Sequence, residues 1–223
     1  MYMPPQFNAK DRETAVALMR EHAFASLISN DDDGLPYVSH LPLVLQERND
    51  AEGRDESGES GELILWGHCA KPNAHWRYLQ ARPRAVVTFL GPHAYLSPSV
   101  YPDLARVPTW NYLAVHCTVE ARLVETAAEK DALLKRLIAA HEPAYAQQWR
   151  DLGEEFQLKM LAGIVGFELR ITALQCKVKL NQHRRESHAA MYAAYSHGSP
   201  DAQALAGWMQ RLGMATETGT ADA

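Results

Sequence analysis

Three stretches of this 223-residue chain hold polar and aromatic side chains where a plain core strand would need only apolar ones. The first is Ser39-His40-Leu41-Pro42. The second runs from Trp66 to Trp76 as Trp66-Gly67-His68-Cys69-Ala70-Lys71-Pro72-Asn73-Ala74-His75-Trp76, where a strand is expected to end and a short helix to begin. Such a junction leaves backbone N–H groups open at the helix start, a natural setting for an anion. Lys71 would add a cation there, and Asn73 both donor and acceptor atoms, so a bound phosphate is chemically reasonable. A solvated lysine beside a helix-capping asparagine is the plainer alternative. The third stretch is Val107-Pro108-Thr109-Trp110-Asn111-Tyr112, followed by Ala114-Val115-His116. An indole and a phenol in a proline-led loop would flank a flat heteroaromatic ligand, with Asn111 offering donor and acceptor. Closing one end of a barrel would use the same two rings equally well.

Other chemistries lack a foothold. The ten histidines form no H-x-x-x-H or H-E-x-x-H group, so no metal site is assigned. No G-x-S-x-G elbow, G-x-G-x-x-G turn or P-loop occurs, which removes α/β-hydrolase, Rossmann and P-loop readings. Cys69, Cys117 and Cys176 are an odd set without a C-x-x-C pair, against a disulfide framework or a zinc knuckle. No residue is assigned a catalytic role.

The elements that must carry these stretches follow from periodicity. Asp11 to Ala23 has helical spacing, Phe24 to Ser29 is strand-like, and Asn30-Asp31-Asp32-Asp33-Gly34 is a turn signal. Pro36 to Leu45 reads as the partner strand, with Pro42 implying a bulge or an edge. Further strands are expected at 62–68 and 84–90, the latter closed by Gly91-Pro92 and followed by extended chain from His93 to Ser97. Tyr112 to Glu125 alternates most clearly, with Val115, Cys117, Val119, Ala121 and Leu123 on one face. Thr126-Ala127-Ala128-Glu129 has capping-box spacing and opens a helix. Gly163 to Thr172 resumes strand alternation, Cys176 to Leu180 suggests one more short strand, and Ser199-Pro200 opens a last helix. Seven or so strands with three or four helices, in no βαβ order, suit an antiparallel barrel with peripheral helices, in the α+β class.

Composition bounds the rest. Hydrophobic residues make up 47% and charged residues 22%, an ordinary globular profile. The net charge of −5 equals that of Gln46 to Glu62 alone, so elsewhere 20 bases balance 20 acids. Residues 46–62 are expected to form a mobile acidic loop and residues 213–223 a disordered tail, within one domain over 1–212. The start of the chain shows neither a basic n-region nor an apolar h-region, and no run reaches membrane-helix length, so a cytoplasmic protein is expected.

The blocks Met1-Tyr2-Met3-Pro4-Pro5-Gln6-Phe7, Ser39-His40-Leu41-Pro42-Leu43, Gly67 through Asn73 to Trp76, Gly91-Pro92-His93-Ala94-Tyr95-Leu96-Ser97-Pro98-Ser99, Val107 to His116 and Gly163-Ile164-Val165-Gly166-Phe167 resemble the PaiB-type family in order and spacing. Those proteins are FMN-binding negative transcriptional regulators, and the resemblance runs from Met1 to about Arg184. Near its end the family reads K-L-S-Q-N-R, where this chain has Lys179-Leu180-Asn181-Gln182-His183-Arg184.

The resemblance implies a split β-barrel, the fold of pyridoxamine-phosphate oxidases and flavin reductases, with FMN sites at a homodimer interface. Carried over by position, Lys71 would meet the FMN phosphate with His68 and Asn73 in support. Ser39, His40 and Leu41 would lie along the ring or ribityl chain, and Trp110, Asn111, Gln182 and Arg184 would reach the flavin from the second subunit. The expected dimer contact is the strand from Tyr112 to Glu125 or the Trp110 loop. A DNA-binding regulator should show a basic footprint. The one compact basic group is Lys177, Lys179, His183, Arg184 and Arg185, which leaves direct sequence-specific DNA binding doubtful and an indirect regulatory effect equally compatible. A flavin-dependent oxidoreductase, or a split barrel holding haem, are the alternatives.

Overall fold

The computed structural model describes residues 1–9, 11–48, 61–103 and 105–215. The centre of the expected acidic loop and the last residues of the expected tail therefore lie outside the described residues. Seven strands form one antiparallel sheet: β1 (Phe24–Asn30), β2 (Pro36–Pro42), β3 (Val44–Arg48), β4 (Glu62–Ala70), β5 (Arg84–Leu96), β6 (Thr109–Val124) and β7 (Ile164–Lys179). Their order is β2-β1-β5-β6-β7-β4-β3. Seven α-helices accompany them among the described residues: α1 (Arg12–Glu21), α2 (His75–Ala81), α3 (Ala127–His141), α4 (Tyr145–Asp151), α5 (Glu154–Ala162), α6 (His188–Ser196) and α7 (Pro200–Arg211). The α+β class expected from the sequence is observed. Among the described residues no helix is long and apolar enough to cross a membrane.

The chain divides into two compact units. One comprises Met1–Leu18, Leu90–Val115 and Gln175–Ala223; the other comprises Met19–Phe89 and His116–Leu174.

In the second unit the β1–β2 turn is closed by Asp31, whose Oδ1 accepts from the N–H groups of Asp33 at 3.0 Å and Leu35 at 2.8 Å. The expected single strand from Pro36 to Leu45 is broken at Leu43 into β2 and β3, which occupy the two ends of the sheet order. One residue cannot span an open seven-stranded sheet, so the sheet curls until its ends meet at this corner. Leu43 is buried there, and its N–H donates to the carbonyl of Ala23 at 2.9 Å. Gly67 of β4 makes room for it. A Cβ on Gly67 would lie 2.4 Å from Leu43 Cδ2 and 3.2 Å from the carbonyl oxygen of Pro42.

Strand β3 extends three residues beyond the expected end, because Gln46, Glu47 and Arg48 pair with Ile64, Leu63 and Glu62 of β4. Gln46 also accepts from the Trp66 indole at 2.8 Å. The start of the acidic segment is thus strand rather than loop. Ile64 and Trp66 share a core with Val124, Leu133 and Leu137, so β4 packs one face on α3. That helix begins as expected: Thr126 and Glu129 form both halves of a capping box.

In the first unit α1 is capped by Asp11, which accepts from the N–H of Thr14 at 2.7 Å. Strand β5 does not stop at Gly91-Pro92. The glycine serves packing instead, since a Cβ there would lie 2.6 Å from Leu18 Cδ1. Likewise β7 runs unbroken through the stretch expected as two strands. Ser199 caps α7 as expected. At the other end Gly213, with φ 66°, closes the helix: its N–H reaches the Gln210 carbonyl and that of Met214 reaches Met209, a Schellman motif with Met214 buried. The expected tail therefore starts with residues that finish α7.

Gly67→Ala should cost about 1–3 kcal/mol, the usual penalty of overpacking where backbone lies in the way. Urea unfolding of the variant against the parent chain measures it, and an unchanged midpoint would show that the corner yields.

Candidate functional site

The candidates in the second unit start from strand alternation. On β2, Ser39 and Leu41 are buried while His40 between them is exposed, so the three cannot share one face. Outside, His40 Nδ1 lies 3.0 Å from Ser26 Oγ and its ring stacks on Phe24. Inside, Ser39 Oγ accepts from Asn73 Nδ2 at 3.0 Å and lies 2.9 Å from His75 Nδ1. Asn73 Oδ1 accepts from the His75 N–H at 3.0 Å and from the Tyr37 hydroxyl at 3.3 Å. This network joins β2 to the link between β4 and α2, across 34 residues of sequence.

Burial pushes His75 down to about 4, so its ring is neutral at neutral pH. Ser39 Oγ, which already accepts from Asn73, donates to His75 Nδ1 in one imidazole tautomer and accepts from it in the other. Nε2 is buried without a partner among the described residues. His68 follows Ile64 and Trp66 at even spacing and so lies on the α3 face of β4, opposite Gly166. Its Nδ1 is also buried without a partner among the described residues, and burial lowers its pKa.

The open N–H groups expected at the strand-to-helix junction are mostly engaged. Lys71 N donates to Gly163 O, Asn73 N to Ala70 O, and Arg77 N to Ala74 O. His75 N donates to Asn73, and the N–H of Trp76 to the Cys69 sulfur. Helix α2 has only seven residues. An anion here must therefore be held by side chains. Two are suited: Lys71 is exposed, and Arg77 lies over the Trp76 ring at 5.1 Å while the Trp76 indole N–H donates to the Lys71 carbonyl at 3.0 Å. Neither cation has a carboxylate within ion-pair distance among the described residues. Arg77 and Tyr37 were not among the residues singled out from the sequence, and His75 was only part of the Trp66 to Trp76 stretch, with no role given to it.

The remaining candidates belong to the first unit. Trp110 is exposed beside His93 and Tyr95, whose ring centroids lie 5.8 and 6.4 Å away. Asn111 is fully buried, with Nδ2 donating to the Tyr195 hydroxyl at 3.0 Å and Met191 Sδ at 3.2 Å. Gln182 closes the turn after β7: it accepts from Leu180 N at 3.1 Å and donates to Val178 O at 2.5 Å. Arg184 is half-exposed, 3.9 Å from Glu186. The two departures from the family pattern have local uses. Asn181 takes the left-handed φ of 62° that asparagine tolerates, and His183 packs edge-on against Phe7.

A curled antiparallel sheet whose end strands are joined through one residue defines a split β-barrel protein. The same fold occurs in the flavocytochrome Anf3 of Azotobacter vinelandii, with a TM-score of 0.58 and 16% identity over 78% of this chain and 70% of that one. It also occurs in the FAD and heme binding protein of Mycobacterium smegmatis, with a TM-score of 0.52 and 16% identity over 77% and 73%. Residues 1–173 match the family model described as "Putative FMN-binding domain". The chain is also 32% identical over 192 residues to the Bacillus subtilis protease synthase and sporulation protein PAI 2, covering 84% of each. It belongs to this FMN-binding-domain family, in its PaiB-type branch.

The buried imidazole makes a pH prediction. The unfolded chain takes up the His75 proton near the ordinary value of about 6.5, whereas the folded chain takes it up only at about 4. Between those values the unfolded state binds more protons, so the His75 contribution is complete above the upper value and is lost as pH falls toward the lower one. Denaturant unfolding at a series of pH values should show this slope, with a smaller slope in His75→Gln. A His75 imidazole resonance titrating at the ordinary value would show instead that the network is hydrated.

Proposed function

We propose that this protein binds FMN, with the phosphate held by Lys71 and Arg77 at the end of β4. The observation that carries this reading is a pair of exposed cations at one strand end, Lys71 and Arg77, which lack acidic partners among the described residues while Trp76 lies under Arg77 and donates to the Lys71 carbonyl. Family membership supplies the identity of the cofactor. Ser39 and Asn73 act here as positioning residues, since their polar atoms are engaged with each other, His75 and Tyr37. Bound FMN would supply one- and two-electron redox chemistry at its ring system. The protein's own part is to orient the phosphate and hold the strand end still.

The regulatory part of this reading is indirect action rather than tight sequence-specific DNA contact. Two members of the basic group near the end of β7 point into the protein. Lys177 is buried, donates to the Tyr2 carbonyl at 3.1 Å and lies over the Tyr2 and Tyr112 rings. Lys179 donates to Thr109 Oγ1 at 2.7 Å, and burial lowers its pKa. That leaves His183, Arg184 and Arg185 as a small footprint for a duplex whose affinity rests on neutralised phosphates.

Two measurements check these statements. A charge-assisted contact to phosphate is worth roughly 1.5–3 kcal/mol, so Lys71→Ala should weaken FMN binding about tenfold or more. Lys159→Ala, on exposed α5, should leave it unchanged. Equal affinities for both variants in a flavin fluorescence titration would remove Lys71 from the site, and a Soret band in the purified protein would favour the haem reading. In gel-shift titrations at physiological salt, short duplexes should bind weakly and alike. Tight binding to one sequence, lost in Arg184→Ala with Arg185→Ala, would overturn the indirect reading.

A further inference from the structure

Within the first unit, a cavity of about 490 Å³ opens between the second half of β5, the start of β6 and the α6–α7 turn. That volume falls in the range of small-molecule sites. Three aromatic rings stand at its mouth without being parallel. Trp110 is inclined 56° to His93 and 76° to Tyr95, at centroid separations of 5.8 and 6.4 Å. Trp110 and Tyr95 are 54% and 52% exposed, unusual for side chains of this size on adjoining strands.

Asp201 lines the same cavity. Its carboxylate has no Lys or Arg within ion-pair distance among the described residues, and the His93 imidazole Nε2 lies 4.0 Å away. The lining hydroxyls are occupied elsewhere: Ser99 Oγ donates to Ser97 Oγ at 2.9 Å, and Ser199 Oγ caps the Ala202 N–H. The ligand-facing chemistry is therefore aromatic faces plus one carboxylate. Ring faces carry the negative end of the aromatic quadrupole, so inclined rings around a single acid attract an organic cation more than a neutral or anionic group.

We propose that this cavity binds a methylated ammonium group, seated among Trp110, Tyr95 and His93 and balanced by Asp201. The apolar walls, including Leu96, Val100 and Ala202, take the body of the ligand. Methyl groups suit this setting because they spread the charge over a surface that needs no hydrogen-bond acceptors. Lys71 and Arg77 take no part in this site, and because the family resemblance also sets Trp110 at the flavin, the test below includes a competition with FMN.

Calorimetric titration of the full chain tests it with choline and with 3,3-dimethylbutan-1-ol, the neutral isostere of the same shape. Choline should bind at least about tenfold more tightly, as a desolvated cation–π contact allows. Trp110→Ala and Asp201→Asn should each weaken choline by a similar factor, and Trp110→Phe should recover part of the loss, with circular dichroism showing each variant folded. Equal affinity for the two probes, or no choline binding at all, would overturn the proposal. So would competition in which FMN displaces choline from the parent chain but not from Lys71→Ala, because the rings would then serve the flavin.

Discussion

The corner at Leu43 is the constraint on which the second unit depends. Strands β2 and β3 are neighbours in sequence and opposite ends of the sheet, so the whole curl of the sheet is fixed where one residue turns. Burying Leu43 against Gly67 holds that turn, because the backbone oxygen of Pro42 leaves no space for a larger residue. The same closure carries Ser39, four residues before the corner, against Asn73, six residues after Gly67. A site assembled from segments this far apart in sequence exists only because the sheet closes there.

What the closure brings together divides into parts that hold and parts that remain available. Asn73 has its oxygen shared by two donors and its nitrogen on Ser39, and Ser39 is fixed between Asn73 and His75. With the polar atoms of Asn73 and Ser39 engaged in this way, losing one member would leave the others without partners. The network therefore positions. Lys71 and Arg77 stand just beyond it on the surface, joined through Trp76, and carry the charge that the network does not.

Local signals were legible in the sequence, and signals that depend on side-chain direction were not. The capping box at Thr126 and Glu129 and the cap at Ser199-Pro200 need only neighbouring residues, and both formed as expected. Gly91-Pro92 looked like a turn, but the reason for glycine there is Leu18, which lies 73 positions earlier and touches it only after folding. Ser39-His40-Leu41 read as one contact surface, although alternation along a strand must send His40 to the opposite face. Side-chain direction also divides the basic group: Lys177 and Lys179, two apart on β7, share a side that meets Tyr112. The strand end and short helix around Lys71 left a sequence trace, whereas the position of Arg77 over Trp76 did not.

Charge on this chain is informative only after its partners are known. Elsewhere in the second unit the outward residues of β3, β4, β6 and β7 neutralise each other: Arg48 meets Glu62 and Glu168, Arg122 meets Glu168 and Glu129, and Arg170 meets Glu62 and Glu120. Such exposed ladders add little stability each, and with three arginines against four glutamates they leave only a small net charge. An exposed charge without a partner is common on any protein and marks nothing alone. Asp201 differs because it stands beside the exposed Trp110 and Tyr95 rings, and Arg77 because it lies over Trp76 next to the exposed Lys71. A ring next to an uncompensated charge offers a partner both an electrostatic and an apolar contact in one place. That coincidence, more than the net charge or the number of basic residues, separates the two candidate binding regions from the paired surface around them.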